Sequence, residues 1–267
     1  MERIGLIAGS GQFPSIFSRA AREKGLNVYA VAHEGETDPA LENLVEATKW
    51  VKIGQVKKLV AFFKENDVRD AVMAGAITKT KMFSSVRPDL TALKILATMD
   101  HTHDDRLLRA FADALEREGI KVRASTFLLP ELLAPEGCWT RRKPNKSEMA
   151  DVRFGWRIVK EIGGLDIGQS VVVRDGSVMA VEAIDGTDAT IRRGGKLGKE
   201  KTVVVKASKP NQDMRFDVPA VGPETIKTMS SVGASVLAVE AGKTVVFDKE
   251  EMVALANRER IAIIGIE

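Results

Sequence analysis

The opening segment leaves the chain few ways to fold. Ile4 to Ala8 is a short apolar run of the kind a buried strand needs, and Gly9-Ser10-Gly11-Gln12-Phe13-Pro14 follows it directly. A helical pattern then runs from Ser15 to Lys24, Gly25 ends it, and Leu26 to Ala32 reads as a second strand. Strand, glycine-rich turn, helix and strand make a parallel, Rossmann-like unit. Its loop amides and helix N-terminus suit a phosphate. The dinucleotide fingerprint is incomplete, because Gly9 and Gly11 match its first two glycines but Pro14 stands at the third. Glu34 or Glu36 could still imitate the ribose-binding acid, and a tight turn needing positive φ explains the glycines without any ligand.

The alternation continues, with strands expected at Trp50–Ile53, Ala71–Met73 and Val122–Leu128 and a helix at Val56–Glu65. Ligands in such sheets sit at the carboxyl ends of strands, so Gly75 should lie near Gly11, with Lys79, Lys81 and Arg87 supplying charge nearby. Proline, glycine and the basic cluster Arg141-Arg142-Lys143 mark a boundary between Pro130 and Pro144. Beyond it come a helix at Phe154–Ile162 and a hairpin turning at Asp175-Gly176, a pair that matches strand twist. Thr187 and Asp188 fit a helix cap, and Asp188 also fits a cation ligand. Strands at Thr202–Val205, Ser235–Val239, Thr244–Phe247 and Ile261–Ile266 and helices at Glu224–Ser231 and Lys249–Asn257 complete the chain.

Charge and cysteine content narrow the function classes. A net charge of +3 across 267 residues is too weak to argue for nucleic acid, but it favours anionic small molecules or an anionic membrane surface. The single cysteine, Cys138, excludes an internal disulfide and is not enough for a zinc site, which fits a reducing, cytoplasmic compartment. No stretch reaches the roughly 20 apolar residues of a membrane span, so membrane contact should be peripheral.

Two stretches carry candidate chemistry. If Met214 to Val218 is extended, Asp213, Arg215 and Asp217 share one face, an acid-base-acid stripe with Lys206, Lys209 and Gln212 just upstream. Carboxylates of such a set can hold a divalent cation or orient a water, while Lys and Arg neutralise phosphoryl oxygens. An edge strand with a solvated outer face explains the same spacing. The second stretch, His101-Thr102-His103-Asp104-Asp105, has metal-binding side chains, but the two acids precede the amphipathic run Arg106–Leu115, where capping and dipole complementation account for them. A histidine-based metal site is therefore not expected.

The assembled pieces resemble the LpxI-type UDP-2,3-diacylglucosamine pyrophosphatases of lipid A synthesis in Gram-negative bacteria. The resemblance is carried by Gly-Leu-Ile-Ala-Gly at 5–9, Asp-Asp-x-Leu-Leu-Arg at 104–109 and Asp-Ile-Gly-Gln at 166–169. Ala-Val-Glu-Ala-x-x-Gly-Thr-Asp-Ala at 180–189 and Lys-Pro-x-Gln at 209–212, followed by Asp217, add to it. It implies an α/β protein with a Rossmann-like N-terminal domain over residues 1–131 and a distinct, smaller α/β C-terminal domain over residues 132–267, with the active cleft between them. It further implies Mg²⁺-dependent hydrolysis, with Mn²⁺ as a substitute, giving UMP and 2,3-diacylglucosamine 1-phosphate by attack of water on the β-phosphorus. Asp217 is then the expected catalytic residue, with Asp217, Asp188 and Asp213 as metal ligands. Gly9, Ser10, Gly11, Gly75, Asp104, Asp105, Gln169, Thr187, Asp188, Lys206, Lys209, Gln212 and Arg215 are the expected substrate contacts. Ser10 departs from the family's Gly-Gly-Gly turn. Transient contact with the cytoplasmic membrane surface and a homo-oligomeric state are further expectations; a nucleic-acid partner is not.

Two rivals belong to other classes. A nicotinamide-dependent reductase would use the first turn, but the only tyrosine is Tyr29, inside an expected strand, so no Tyr-x-x-x-Lys pair can form. A non-catalytic nucleotide or lipid carrier would bind the same ligand without releasing UMP.

Overall fold

The computed structural model describes residues 2–77, 88, 89, 92, 93, 104–216 and 218–267, with the backbone alone for 104–107. Asp217, His101, His103, Lys79, Lys81 and Arg87 lie outside the described residues, as do the side chains of Asp104 and Asp105. The chain divides into two units, Met1–Pro130 together with the short segment beginning at Asp213, and Glu131–Gln212 with Val218–Glu267.

In the first unit, β1 (Arg3–Ala8), β2 (Asn27–His33), β3 (Ala47–Val51), β4 (Asp70–Ala74) and β5 (Lys121–Arg123) form an all-parallel sheet in the order β3-β2-β1-β4-β5. Helices α1 (Phe13–Glu23), α2 (Val56–Glu65) and α3 (Asp104–Arg117) connect or cover it. A parallel sheet covered on both faces buries both sides of its inner strands, which explains why β1 and β2 read as near-continuous apolar runs. Ile7, Val31, Phe63, Leu115 and Val122 meet in one core cluster. The expected strand at Val122–Leu128 stops at Arg123, because Thr126 and Ala124 carbonyls accept turn hydrogen bonds from Leu129 and Phe127.

The sheet order brings the exits of β1 and β4 together, as the expected nearness of Gly75 to Gly11 requires, although Gly75 packs directly on Gly9 and Ser10. Gly9 N donates to Ala74 O, Ser10 N and Oγ donate to Ala76 O, and Ala76 N donates back to Ser10 O. A side chain at Gly75 would have its Cβ 2.5 Å from Ser10 O, and the residue sits at φ +90°. Gly75→Ala is accordingly expected to cost about 2–4 kcal/mol of unfolding free energy, from backbone strain plus the clash. Urea denaturation measures it, and an unchanged midpoint would mean the two strand exits are not packed this closely.

The second unit is built on a six-stranded sheet. Its strands are β6 (Gly137–Cys138), β7 (Ser170–Arg174), β8 (Ser177–Val181), β9 (Val203–Lys206), β11 (Val236–Glu240) and β13 (Ala262–Ile266), in the order β6-β13-β11-β9-β7-β8. A small parallel pair, β10 (Ala220–Val221) with β12 (Val245–Val246), stands apart from it. β13, β11 and β9 run parallel, and the β7–β8 hairpin adds antiparallel to β9. The hairpin turns at Asp175 and Gly176, both at positive φ, and Asp151 accepts both of their backbone N–H groups.

Strand residues alternate between two cores in this unit. Val203, Val205, Val171, Val173 and Val236 pack with Val152 and Val159 of α4 (Lys146–Gly164). Val204, Val172 and Leu237 pack on the other face with Ile191, Ile226 and Met252. Those three belong to α5 (Gly186–Gly198), α6 (Pro223–Ser231) and α7 (Lys249–Arg258). The helix expected at Phe154 starts eight residues earlier, where Asn145 and Glu148 cap each other's backbone N–H groups.

Candidate active site

Polar side chains gather where the parallel strands of the second unit end. β9 delivers Lys206 and leads into Ser208, and antiparallel β7 places its first residue, Ser170, opposite Lys206. Glu182 follows β8, with its N–H on Ser170 O at 2.9 Å, and the first turn of α5 contributes Thr187 and Asp188. Lys206 is 6% exposed, and its Nζ donates to Thr187 Oγ1 at 3.0 Å and to Ala220 O at 2.9 Å. Thr187 Oγ1 in turn donates to both oxygens of buried Glu182 at 3.1 and 3.2 Å, and Ser170 Oγ lies 3.4 Å away. Burying an ammonium and a carboxylate is costly unless each is held by partners, so a hydroxyl bridging them fixes both charges at the sheet's edge. Gln169 O accepts Ala207 N, whereas its side-chain Oε1 is buried with no hydrogen-bond partner among the described residues. A donor on a ligand would relieve that cost.

The same edge carries a clamp on the loop that leaves β9. Glu240, at the end of β11, accepts Ser208 N at 2.8 Å, Ser208 Oγ at 2.6 Å and Lys160 Nζ at 2.7 Å, and Lys243 lies 3.0 Å from its other oxygen. Lys160 also donates to Ser208 O, so both backbone groups of Ser208 are gripped. Burial by itself would raise the Glu240 pKa, but the hydrogen bonds from Lys160, Ser208 and Lys243 outweigh it and leave it lowered. Lys209 pairs with Asp166, and its backbone N–H donates to Gln212 Oε1. Lys209 and Gln212 thus shape the loop as well as lining it.

Residues 213–216 cluster with the first unit, and here the sequence expectation fails. Met214 to Phe216 is a turn, closed by Phe216 N donating to Asp213 O at 3.1 Å, not an extended strand. Asp213 accepts the backbone N–H of Arg215 and folds the Arg215 guanidinium onto its own carboxylate, with Nη2 to Oδ2 at 2.8 Å. An aspartate that bonds the N–H two residues on stabilises a turn more than a strand. Arg215 reaches Glu116 at 3.0 Å, Arg109 lies 3.7 Å from Asp213, and Phe216 packs on the core beneath. The hydrogen bond from Arg215 outweighs burial and holds Asp213 below the usual carboxylate range.

The glycine turn is also more committed than a phosphate cradle. The Gly9 and Ser10 amides are bonded to the exit of β4, and Gly75 is the counterpart of that lock, which leaves only Gly11 at positive φ on the open side of the turn. Glu34 is exposed, 3.9 Å from Lys52.

No group of three or more His, Cys, Asp or Glu among the described residues could hold a metal. Asp213 is committed to Arg215, so its expected role as a metal ligand does not fit the structure. Asp188 is exposed and one residue from Thr187. Mg²⁺ is commonly held by one or two carboxylates plus the phosphates of its substrate, and among the described residues exposed Asp188 suits that arrangement better than an all-protein cage does.

Sequence reasoning singled out Gln169, Thr187, Lys206, Lys209 and Gln212, and one sheet edge brings them together. It missed Glu182, Ser170, Glu240 and Lys160. Glu182 was legible as an acid inside the 180–189 motif directly after an apolar run.

Comparison with known proteins gives a concordant result over almost the whole chain. Residues 3–132 match the LpxI N-terminal domain and residues 135–264 the LpxI C-terminal domain. The UDP-2,3-diacylglucosamine pyrophosphatase LpxI of Caulobacter vibrioides is 31% identical over 278 residues, covering 100% of this chain and 98% of that protein. Solved structures align only loosely. The N5-carboxyaminoimidazole ribonucleotide synthetase of Thermotoga maritima has a TM-score of 0.28 at 14% identity, over 66% of this chain and 34% of that one. The leucoanthocyanidin reductase of Vitis vinifera with NADPH reaches 0.28 at 17% identity, over 44% and 47%. Scores this low bear on neither fold nor function.

Proposed function

The chain belongs to the LpxI family, and from that premise we propose that it hydrolyses the pyrophosphate of UDP-2,3-diacylglucosamine to UMP and 2,3-diacylglucosamine 1-phosphate in lipid A biosynthesis. The observation that carries the proposal is the family match across both halves of the chain. The buried Lys206–Thr187–Glu182 relay, two of whose members lie inside the 180–189 motif, supports it.

Pyrophosphate cleavage needs charge neutralisation and an aligned water more than a protein nucleophile. Lys206 faces the diphosphate oxygens, and Glu182 keeps the Thr187 hydroxyl turned so that the ammonium is held in one place. Gln169 Oε1 accepts a donor from the nucleoside or the sugar. Asp217 orients the attacking water and takes its proton. The new bond forms between that water's oxygen and the β-phosphorus, the anhydride bond breaks, and UMP leaves with the electron pair. Asp217 and Asp188 would hold Mg²⁺, which would neutralise phosphoryl charge. The setting is the cytoplasmic side of the inner membrane.

Release of UMP from UDP-2,3-diacylglucosamine by purified protein tests the proposal. EDTA is expected to abolish release and excess Mg²⁺ or Mn²⁺ to restore it, as for hard oxygen donors. Full turnover in chelator would remove the metal from the mechanism, and no turnover under any condition would remove the hydrolase.

A further inference from the structure

Among the described residues seven large hydrophobics are exposed, and three of them lie beside the polar cluster of the second unit. Leu165 (69% exposed) and Ile167 (48%) stand on the loop from α4 into β7, and Ile184 (90%) stands on the loop from β8 into α5. The two loops touch, since a Cβ on Gly168 would lie 2.2 Å from Glu182 O. Val178 and Leu197 are at the opposite end of the sheet, where Arg174 of the hairpin bonds Gly198 O.

Local structure explains one of the three. Ile167 N donates to Ile162 O and Asp166 N to Gly163 O, with Asp166 at φ +57°, which is the helix-ending arrangement that normally carries one apolar residue at its last position. That arrangement accounts for Ile167 and leaves Leu165 and Ile184 without a structural reason to be apolar. The charges on the loops are internally balanced, Asp166 by Lys209 and Asp185 by Arg193. Isolated apolar tips around a polar site, on loops whose acids Asp166 and Asp185 are already paired, suit a soft apolar phase more than a shaped protein partner or a charged surface.

We infer that Leu165, Ile167 and Ile184 insert into the interfacial layer of a lipid bilayer and set the Lys206–Thr187–Glu182 edge at the height of lipid headgroups. This rests on the hydrolase reading, which makes the substrate a bilayer lipid. Because the contact is made by insertion, it should depend little on salt, unlike binding through exposed lysines and arginines.

Flotation with phosphatidylethanolamine–phosphatidylglycerol vesicles, free of substrate, tests the inference without relying on turnover. Wild-type protein is expected to float with the vesicles at low and high salt. Ile167→Ser with Ile184→Ser, and separately Ile184→Ser alone, should lower the bound fraction, the double variant on the order of tenfold. UMP release from substrate in detergent micelles should stay within about twofold of wild type, since these side chains touch no reacting group. Wild type that does not float, variants that float like wild type, or binding abolished by salt would each overturn the inference. So would variants that float normally but show a raised KM in micelles, because the tips would then contact only the substrate's acyl chains. Normal flotation behaviour in a protein that releases no UMP would sink the hydrolase reading instead.

Discussion

Asp217→Ala is expected to lower kcat about a thousandfold or more, roughly 4 kcal/mol of barrier, the range for removing a group that acts on the reacting atoms electrostatically. Substrate affinity should survive, because acyl chains contribute ~0.8 kcal/mol per buried methylene and the carboxylate touches none of them. The purified variant should therefore retain unhydrolysed UDP-2,3-diacylglucosamine, whereas active protein should carry the lipid monophosphate. Mass spectrometry of lipid extracted from both forms reads the difference. Near-normal turnover in a folded variant would return Asp217 to the solvated surface.

Lys206→Met should be the next most damaging change, with kcat/KM falling about a hundredfold or more, near 2.7 kcal/mol. Lys206 is buried between the Thr187 hydroxyl and Ala220 O, and a buried ammonium at the end of a parallel strand is well placed to meet phosphoryl charge. A structural lysine would behave differently. Removing one member of the buried Lys206–Thr187–Glu182 set leaves Glu182 without its cation and costs stability on the order of 3–5 kcal/mol, so the melting temperature falls in either case and kcat/KM of the folded protein makes the distinction. Lys206→Arg keeps the charge and should recover part of the loss. A large fall in melting temperature with kcat unchanged in the surviving folded protein would make Lys206 a packing residue.

How much of this was legible in the sequence follows from how locally each feature is encoded. The β1–turn–α1–β2 unit announced itself through an apolar run, two glycines and a helix stop within the first 32 residues, and the Asp175-Gly176 hairpin through one dipeptide. Helix α5 was expected only as a short helix capped by Thr187 and Asp188, and its length to Gly198 was not legible because Gly194, Gly195 and Gly198 argue against a helix on propensity. Their reason is tertiary: a Cβ at Gly194 would lie 2.5 Å from Val172, and one at Gly195 2.3 Å from Val232, so only glycine lets α5 pack on the sheet and its neighbour.

The site divides the same way. Lys206, Thr187 and Gln169 are far apart in sequence; Lys206 was singled out as a charge beside the acid-base-acid stretch, Thr187 and Gln169 lie in motifs of the resemblance, and the sheet joins them through the Ser170–Lys206 register. The acid-base-acid stripe was misread because alternation assumes an extended chain, and the Asp213 carboxylate instead closes a turn on Arg215. Glu240 and Lys160, 80 residues apart, had no local signal at all.

Hydrolysis of UDP-2,3-diacylglucosamine in ¹⁸O-labelled water, with both products weighed, tests the central claim most directly. The account predicts UMP without label and 2,3-diacylglucosamine 1-phosphate carrying one ¹⁸O, from water attacking the β-phosphorus. Label in UMP, or substrate recovered intact with Mg²⁺ present, would contradict it.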